Sequence, residues 1–339
     1  MTKVAINGFG RIGRLFFRQA FGSKNINIVA INDLGSIDNL AYLLKHDSVY
    51  GAFDKSVKVQ GNSLIVGGKK IEYLQIKEPS KLPWKKLGVD VVVEATGVFD
   101  SFAFAKDHLK AGAKRVVITA PTSDADGKDG ATVLMGINEG KLSSVKLSSN
   151  ASCTTNAASP VIAILSEELG IEKAMLSTVH GYTASQSLVD GPVRGHDLRR
   201  GRAAAYNIVP STTGAAEAVE RAIPELTGKF DGIAFRVPVI AGSIADITLV
   251  SKKNTSVKEV NDILKKAADS SRWKGIMAVT EEPLVSSDIV GQPYGAIVDL
   301  PLTRVVGGNL VKVLSWYDNE YGYASTLVKH VNKIGSHLK

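Results

Sequence analysis

The chain contains 339 residues, of which 44% are hydrophobic and 22% are charged, and it carries a net charge of +8. This composition is typical of an α/β protein and excludes the disordered and fibrous classes, and the length allows two domains of about 150 residues. The positive charge suits anionic ligands, either phosphorylated metabolites or nucleic acid. Because the lysines are dispersed and aromatic residues make up only 6%, a solvated basic surface is the preferred interpretation.

The beginning of the chain and its cysteine content indicate the compartment. Met1 is followed at once by a strand pattern, so no signal peptide is expected, and no apolar stretch approaches the roughly 18 residues that span a bilayer. Cys153 is the only cysteine, which excludes an intramolecular disulfide. The sequence therefore predicts a reducing, cytoplasmic location without membrane attachment.

A glycine-rich turn joins the first predicted strand, residues 3–7, to a helix at residues 14–20. The turn reads Gly8-Phe9-Gly10-Arg11-Ile12-Gly13. In a GxGxxG motif between strand and helix, the first glycine makes the tight turn, the second lets the backbone approach a pyrophosphate, and the third allows close packing. A second apolar strand ends at Asp33, whose carboxylate suits ribose hydroxyls and repels a 2′-phosphate. The pattern predicts an NAD site; a glycine turn without a nucleotide would leave Asp33 unexplained.

Strands and helices continue to alternate through the first half. The predicted segments are a helix at 37–45, a hairpin at 56–66, a strand at 89–94, a helix at 101–111 and a strand at 115–121. Continuous apolar strands separated by helices predict a doubly wound parallel sheet. Because ligands bind at the carboxyl ends of such strands, Thr96, Gly97, Thr119 and Ala120 are expected near the cofactor.

Cys153 opens the second half as a candidate nucleophile. It lies in Ser152-Cys153-Thr154-Thr155-Asn156, ahead of small and apolar residues typical of a buried helix. At a helix N-terminus, unpaired N–H groups and the helix dipole favour the thiolate, so the pKa of the thiol is expected to be lowered. The same N–H groups would suit an oxyanion. A lone cysteine is otherwise an inert core residue, unless a histidine reaches it.

A strand at residues 174–183 carries His180 near its end. A neutral imidazole within reach of Cys153 would form an ion pair with the thiolate and move protons to and from a substrate oxygen. The spacing alone leaves open an ordinary structural histidine.

Three further features favour anions without identifying one. Residues 191–202 form a long irregular stretch with Arg194, Arg199, Arg200 and Arg202, which suits a solvated loop, a subunit contact or an anion site. Residues 211–216 open a helix with hydroxyls and a glycine, as either a cap or a phosphate cradle. Arg236 lies in an apolar strand, where arginine is uncommon unless it pairs with an acid or an anion.

The remaining pattern predicts a second sheet and a terminal helix. Strands at 233–238 and 243–250 have mixed polarity, which is typical of an antiparallel sheet with one open face. Residues 319–338 place apolar side chains at helical spacing.

Five segments together resemble the phosphorylating glyceraldehyde-3-phosphate dehydrogenases, and the resemblance covers essentially the whole chain. They are INGFGRIGR (6–14), HDSVYG (46–51), SNASCTTN (149–156), STTGAA (211–216) and WYDNEYGY (316–323). The cysteine segment is the most specific of these and the glycine-rich turn the least.

The resemblance implies a role for each candidate residue. Cys153 is similar to the nucleophile that adds to the aldehyde, and His180 to the base; a hydride passes to NAD, and inorganic phosphate splits the thioester to give an acyl phosphate. The implied site for the substrate's own phosphate is Thr183, Ser185 and Arg236, and that for the attacking phosphate is Ser152, Thr154, Thr213 and Gly214, with Arg200 in the loop beside them. Asn7, Arg11, Ile12, Asp33, Thr96, Thr119 and Asn319 match cofactor positions, and no metal site is predicted.

The resemblance also implies the domain layout and the assembly. Residues 1–152 would form an NAD-binding Rossmann domain onto which a C-terminal helix, 318–339, packs back, and residues 153–317 an α+β catalytic domain with a mainly antiparallel sheet. Family members are homotetramers in which the loop at 182–206 lies against a neighbouring subunit's cofactor. Two departures are small: Ser185 replaces a threonine, and Ala157 replaces a second, non-nucleophilic cysteine.

Two other functions remain to be weighed. Erythrose-4-phosphate dehydrogenase shares the Cys/His pair but hydrolyses its thioester, and the intact attacking-phosphate positions disfavour it. A basic NAD-binding protein with RNA or a protein partner as its main ligand is allowed by the charge of +8. Retention of all the catalytic residues indicates that nucleic acid would be a secondary partner beside the small-molecule substrates.

Overall fold

The structure is a computed structural model of the chain, and it describes residues 1–193 and 197–338. Arg194, one of the arginines noted in the sequence, and Lys339 lie outside the described residues. The contacts divide the chain into two units. Unit 1 comprises Met1–Ala151 and the chain from Leu327 onward, and unit 2 comprises Ser152–Thr326.

Unit 1 is built on a mainly parallel sheet. Its strands are β1 (Thr2–Asn7), β2 (Ile26–Asn32), β3 (Val57–Val59), β4 (Ser63–Val66), β5 (Lys69–Leu74), β6 (Val91–Glu94), β7 (Arg115–Ile118), β8 (Gly130–Thr132) and β9 (Leu147–Ser149), and its helices are α1 (Arg11–Ala20), α2 (Ile37–Lys45), α3 (Trp84–Leu87) and α4 (Phe102–Lys110). The strand order is β3-β4-β5-β2-β1-β6-β7-β9-β8. Among the described strand pairs of this sheet, the predicted hairpin of β3 and β4 and the β4–β5 pair are antiparallel, and the others are parallel.

Both faces of this sheet are buried. Val4 and Ile6 of β1 belong to one apolar cluster, and Ala5, between them, belongs to the other. Successive residues of a strand point to opposite faces, so each face has its own core. The predicted doubly wound parallel sheet is confirmed. Asn7, at the carboxyl end of β1, is in register with Asn32 of β2 and Glu94 of β6, so three strands end at one edge.

Unit 2 is built on a mixed sheet. Its strands are β10 (Ile171–Gly181), β11 (Val209–Thr212), β12 (Phe230–Val237), β13 (Ser243–Ser251), β14 (Met277–Thr280), β15 (Ala296–Val306) and β16 (Leu310–Tyr317), and its helices are α5 (Cys153–Leu169), α6 (Ala215–Ala222), α7 (Val257–Ala268) and α8 (Ser286–Ile289). The strand order is β11-β12-β10-β13-β16-β15-β14. The pairs β10–β12 and β14–β15 are parallel and the others antiparallel, so the predicted mainly antiparallel sheet is confirmed.

The two faces of the unit 2 sheet differ in burial. Helix α5 is buried along most of its length and contacts the sheet, where Ser315 Oγ of β16 donates to the carbonyl oxygen of Ala157. Apolar side chains on strands β10 and β12 remain exposed, among them Met175 at 55% and Ile233 at 45%. The open face expected from the sequence is therefore present, and part of it is apolar.

The last helix, α9 (Tyr321–Ser336), begins two residues later than the pattern suggested. The carboxylate of Asp318 accepts hydrogen bonds from the N–H groups of Glu320 and Tyr321 and fixes a turn there. From Leu327 onward, this helix buries Leu327, Val331 and Ile334 in the core of unit 1. Among the described residues, no helix is both long and apolar enough to cross a membrane.

Candidate active site

The thiol of Cys153 is held at the first residue of helix α5. Ser152 is the N-cap, and its Oγ accepts the N–H of Thr155 at 3.0 Å. A capping serine satisfies one of the free N–H groups of the first turn and fixes where the helix begins. As a residue Cys153 is half-buried, although its thiol is desolvated by the groups around it.

His180 reaches the thiol from the next-to-last position of strand β10. Its Nε2 lies 3.3 Å from the Sγ of Cys153, although 27 residues separate the two in the chain. The imidazole is 2% exposed, and its other nitrogen, Nδ1, lies 2.6 Å from the carbonyl oxygen of Gly181. The geometry permits direct proton transfer between thiol and imidazole.

Burial changes the pKa of both groups in the direction that favours their neutral forms. Loss of water raises the pKa of the Cys153 thiol, against the lowering effects of the Arg236 charge and of hydrogen bonds from Thr154. Burial, helped by the charge of Arg236, lowers the pKa of His180 from 6.5 to about 3. The sequence expectation of a lowered thiol pKa is thus wrong for this site, because desolvation outweighs the helix terminus. A thiolate and an imidazolium 3.3 Å apart would stabilise each other, so the two groups titrate as a pair.

Tyr317 supports this pair and was given no role by sequence reasoning. Its hydroxyl lies 2.9 Å from Oγ1 of Thr154 and 2.7 Å from Oγ1 of Thr178, and its ring meets that of His180 edge-on at 5.8 Å. The tyrosine is 1% exposed, and burial raises the pKa of its hydroxyl. The position of Thr178 beside His180 could have been predicted from the sequence, since Thr178 precedes His180 by two residues and shares its face of β10.

Arg236 of strand β12 stands beside His180, in register with it. Its Nη1 lies 2.7 Å from Nδ1 of His180 and 3.3 Å from the carbonyl oxygen of Gly181. Its Nε is buried without a hydrogen-bond partner. The charges that act on it come from Cys153, Arg200 and Tyr317, with no carboxylate of the described chain among them. Of the two explanations for an arginine in this strand, the structure favours an anion.

A second cluster of donors surrounds Arg200. Its Nη1 donates to Oγ of Ser185 at 3.1 Å and its Nε to Oγ of Ser211 at 3.0 Å, and Thr183 Oγ1 lies 3.0 Å from Ser185 Oγ. Asp197 accepts from Ser211 at 2.7 Å and lies 3.4 Å from the guanidinium. The structure therefore brings Thr183, Ser185 and Arg200 together, and the charge of Arg200 is partly balanced already.

Thr213 and Gly214 lie at the start of helix α6. Thr213 Oγ1 accepts the N–H of Ala215 at 3.2 Å, and Gly214 is the N-cap, without a side-chain capping bond. A Cβ added at Gly214 would meet no atom within 4 Å. The helix terminus is therefore open to a ligand.

Unit 1 holds the glycine turn that the sequence assigned to a dinucleotide. A Cβ at Gly8 would lie 2.5 Å from the backbone nitrogen of Thr96, and one at Gly13 would lie 2.1 Å from the carbonyl oxygen of Gly8. Gly8 also has a φ of +92°, which side chains other than glycine rarely adopt. Gly10, by contrast, has open space where a Cβ would be. Two glycines allow close packing, and the third leaves room for a ligand.

The surroundings of this turn suit an anion followed by a ribose. Helix α1 has Gly10 as its N-cap, no side-chain capping bond and no acidic residue in its first turn. The N-terminus of a helix attracts phosphate through its N–H groups and dipole. Asp33 Oδ2 accepts the N–H of Phe9 at 2.6 Å, and Oδ1 accepts the N–H of Gly35 at 2.8 Å. These residues fit NAD, with a carboxylate where a ribose is expected.

Glu94 connects two of the predicted cofactor residues and was missed by sequence reasoning. Its Oε2 accepts from Nδ2 of Asn7 at 2.5 Å and lies 3.0 Å from Nε2 of His108, and its Oε1 accepts the N–H of Thr96 at 2.9 Å. The carboxylate is 2% exposed, and Asn32 donates to Oδ1 of Asn7. The sequence did show that Glu94 is an acid at the end of an apolar strand, at the edge of the sheet where ligands bind.

The other cofactor candidates are dispersed. Arg11 forms an ion pair with Asp47 at 2.6 Å, and Ile12 packs on the core of unit 1. Gly97 is exposed with a φ of +68°, and Thr119 follows strand β7. Asn319 belongs to unit 2, where its Oδ1 accepts from Ser243 at 2.9 Å.

A mainly parallel sheet with a glycine turn that fits a dinucleotide, and a unit that pairs a thiol with an imidazole, are the features of an NAD-linked dehydrogenase. The glyceraldehyde 3-phosphate dehydrogenase NAD binding domain matches residues 2–102, and the C-terminal domain of the same enzyme matches residues 152–319.

Relatives that align along nearly the whole chain belong to the same family. The chain is 48% identical to glyceraldehyde-3-phosphate dehydrogenase of Mycobacterium avium over 99% of both chains, and 48% identical to that of Priestia megaterium over 96% of both. It is 46% identical to that of Borreliella burgdorferi, over 98% of this chain and 99% of the relative. The chain therefore belongs to the glyceraldehyde-3-phosphate dehydrogenase family. It is an NAD-dependent oxidoreductase of glycolysis that acts on a small-molecule substrate, and neither alternative function is favoured.

Proposed function

We propose that Cys153 and His180 are the nucleophile and the base of a phosphorylating oxidation of glyceraldehyde 3-phosphate to 1,3-bisphosphoglycerate. The observation that supports this assignment is the 3.3 Å separation of Sγ and Nε2 at the start of helix α5. The thiolate is the reactive form of cysteine, and a base within hydrogen-bond distance generates it.

The first chemical step forms a bond between Sγ of Cys153 and the aldehyde carbon. The thiol proton moves to Nε2 of His180, and the negative charge that develops on the aldehyde oxygen meets the first N–H groups of α5. Protonation of that oxygen by His180 gives a hemithioacetal on Cys153. The ring of Tyr317 packs edge-on against the imidazole of His180, and its hydroxyl contacts Thr154, the residue next to Cys153.

In the second step, Nε2 of His180 takes the hemithioacetal hydroxyl proton as the carbon is oxidised to a thioester. NAD, when bound, accepts the hydride from this carbon. An oxygen of inorganic phosphate then attacks the thioester carbonyl, and the C–S bond breaks, which returns Cys153 as a thiolate and releases the acyl phosphate. The phosphorylating outcome requires two phosphate sites in unit 2.

These phosphate sites are assigned from the donors that the chain provides. Thr183, Ser185 and Arg236 would bind the phosphate of the substrate, since Arg236 is a cation without a carboxylate partner in the described chain. Ser152, Thr154, Thr213, Gly214 and Arg200 would bind the attacking phosphate. Hydroxyls, a helix N-terminus and guanidinium groups are the usual ligands of such anions.

The NAD site is assigned to the carboxyl edge of the unit 1 sheet. Gly8, Gly10 and Gly13 would accommodate the pyrophosphate, and Asp33 would accept from the adenosine ribose. Asn7, Arg11, Ile12, Thr96, Gly97, Thr119 and Asn319 complete the proposed set. Residues 1–152 with 318–339 would thus serve as the NAD-binding domain and residues 153–317 as the catalytic domain.

A homotetramer in the cytoplasm is the assembly that we propose. Its support is the apolar surface left open on unit 2, where Leu188, Leu198 and Tyr206 are 82%, 76% and 87% exposed. Large exposed apolar side chains in one loop are typical of subunit contacts. The loop at 182–206 would then lie against a neighbouring subunit.

The test is the rate of NADH formation from glyceraldehyde 3-phosphate and NAD, with and without inorganic phosphate. We expect sustained turnover only when phosphate is present, and little turnover with erythrose 4-phosphate. An equal rate without phosphate would mean that water splits the thioester and would overturn the phosphorylating assignment.

A further inference from the structure

A chain of buried hydrogen bonds runs from Trp84 to Glu94 in the interior of unit 1. Nε1 of Trp84, the first residue of α3, donates to Nδ1 of His108 on α4 at 3.0 Å. Nε2 of His108 lies 3.0 Å from Oε2 of Glu94. Trp84 and His108 are fully buried and Glu94 is nearly so. The three side chains therefore depend on protein groups for their hydrogen bonds.

The indole fixes the direction of each bond in this chain. An indole N–H only donates, so Nδ1 of His108 is the accepting nitrogen and carries no proton. The neutral ring then has its proton on Nε2, which donates to the carboxylate of Glu94. An imidazolium would place a second proton on Nδ1, directly against the indole N–H. The contact with Trp84 thus selects one protonation state and one tautomer of His108.

Glu94 transmits this order to two residues of the proposed NAD site. Its Oε2 also accepts from Nδ2 of Asn7, and its Oε1 accepts both the N–H and the hydroxyl of Thr96. Together with Nε2–H of His108, the carboxylate accepts four hydrogen bonds within the described chain, about the number that its lone pairs accommodate. Loss of one donor would leave the carboxylate less firmly placed, and Asn7 and Thr96 with it.

We propose that Trp84 and His108 are positioning residues for NAD. The indole N–H fixes the tautomer of His108, and His108 in turn fixes the carboxylate of Glu94. The carboxylate holds Asn7 and Thr96 in the arrangement that the cofactor meets, so Trp84 and His108 act through Glu94 and not by contact with NAD. This inference rests on the proposed function, because Asn7 and Thr96 belong to the proposed NAD site.

Packing is the competing explanation for the same two residues. Trp84 belongs to an apolar cluster of unit 1, and its ring stacks on that of His108 with centroids 6.2 Å apart. If packing were their whole role, Trp84→Phe would lower the free energy of unfolding without an effect on NAD binding that depends on His108. The two explanations therefore differ in how the substitutions combine.

The experiment is a double-mutant cycle on NAD affinity, measured by calorimetric titration of the full-length protein freed of cofactor. W84F keeps an aromatic ring and removes the indole N–H, whereas H108L removes both ring nitrogens. We expect the Kd of NAD to rise about threefold in W84F and about tenfold in H108L, within the values of one neutral and one charge-assisted hydrogen bond. The double variant should have the Kd of H108L, because Trp84 acts only through His108.

Control variants separate positioning from loss of packing. Trp273→Phe is the matched substitution, since Trp273 is 2% exposed but lies in unit 2, and its Kd for NAD should equal that of the wild type. His108→Gln restores an acceptor for Trp84 and a donor for Glu94, so H108Q should bind NAD more tightly than H108L. In W84F the KM for NAD should rise while kcat at saturating NAD changes little. Wild-type affinity in W84F, additive losses in the double variant, or equal losses in H108Q and H108L would overturn the proposal.

The tautomer of His108 can be measured in the wild type, whether or not the variants fold. Nitrogen NMR of protein labelled at histidine and tryptophan identifies His108 by its proximity to the indole nitrogen of Trp84. We expect the neutral Nε2–H form near neutral pH, and an Nδ1–H or imidazolium form would overturn the proposal. Asn7→Ala distinguishes the two levels of the argument. Undiminished NAD affinity in N7A would overturn the proposed cofactor site, whereas weak binding in N7A with wild-type binding in W84F would overturn this inference alone.

Discussion

Oε2 of Glu94 lies 2.5 Å from Nδ2 of Asn7 in the interior of unit 1, at the carboxyl ends of two neighbouring parallel strands. The same carboxylate accepts the N–H of Thr96 and lies 3.0 Å from Nε2 of His108. A buried carboxylate is stable only when such donors surround it. Glu94 therefore orders two residues of the proposed NAD site without being part of that site.

Replacing Glu94 by glutamine places an amide N–H₂ among groups that all donate hydrogen bonds. Leaving buried donors unmatched costs about 2 kcal/mol of unfolding free energy. We expect E94Q to lower the urea midpoint of the first unfolding transition and to weaken NAD binding in calorimetric titration. Glu78→Gln, at an exposed ion pair with Lys81, is the control and should change neither by much. Wild-type NAD affinity in E94Q would show that Asn7 and Thr96 are ordered by other contacts.

His180→Asn removes the base but keeps a polar side chain of smaller size. Loss of a general base typically lowers turnover by about 10²- to 10⁴-fold, and we expect a fall of this order. With no imidazole to take the proton, the thiol of Cys153 must ionise by itself, and burial raises its pKa. The iodoacetamide reaction of H180N should therefore shift to higher pH than in the wild type. An unchanged alkylation profile would mean that His180 does not act on the thiol.

Asp33→Ala tests the assignment of the cofactor's adenosine end. The carboxylate lies beside the glycine turn, held by the N–H groups of Phe9 and Gly35. Removing its charge removes repulsion of a 2′-phosphate, so the preference for NAD over NADP should fall by about tenfold or more in kcat/KM. Exposed Asp38→Ala serves as the control for loss of one negative charge. An unaltered preference in D33A would place the ribose elsewhere.

Acid should destabilise unit 1 through His330. This imidazole is fully buried between Asn150 Oδ1 and Ser148 Oγ, and burial lowers its pKa to about 3. At pH values below the ordinary pKa of 6.5, His330 is protonated in the unfolded chain but stays neutral in the folded chain. The unfolding free energy therefore falls as the pH falls from 6.5 toward 3. The expected slope is on the order of 1 kcal/mol per pH unit.

The variant His330→Gln should flatten this part of the curve when urea unfolding is measured from pH 7 to pH 4. Exposed His337→Gln should retain the wild-type slope. If H330Q shows the wild-type slope as well, the acid sensitivity comes from other groups, such as His180 in unit 2, whose pKa is lowered to about 3.

The glycine turn and the alternating elements could be predicted because they depend on local sequence. The turn at Gly8 and the acid at Asp33 are close in the chain. The backbone turn requires glycine at the first position, and the expected ribose contact requires a carboxylate at the second. That Cys153 and His180 lie close together could only be hypothesised from the sequence, since it depends on how strand β10 packs beside helix α5. Hydrogen bonding between Tyr317 and Thr154 joins residues 163 apart and leaves no local signal.

Electrostatics was the least predictable part of the site. A helix N-terminus suggested a lowered thiol pKa, but the extent of desolvation around Cys153 depends on tertiary packing that no local pattern reveals. Likewise, the sequence showed that Arg236 was unusual, whereas its contact with Nδ1 of His180 follows from the pairing of β10 with β12.

The most direct measurement is a single turnover without inorganic phosphate, followed by mass spectrometry of the intact chain and its peptides. With excess glyceraldehyde 3-phosphate and NAD, the wild type should release one NADH per active site and retain an acyl group on the peptide that contains Cys153. Cys153→Ser should give neither signal while still binding NAD. NADH formation without an adduct on Cys153, or an equal burst from C153S, would contradict the assignment of Cys153 as the nucleophile.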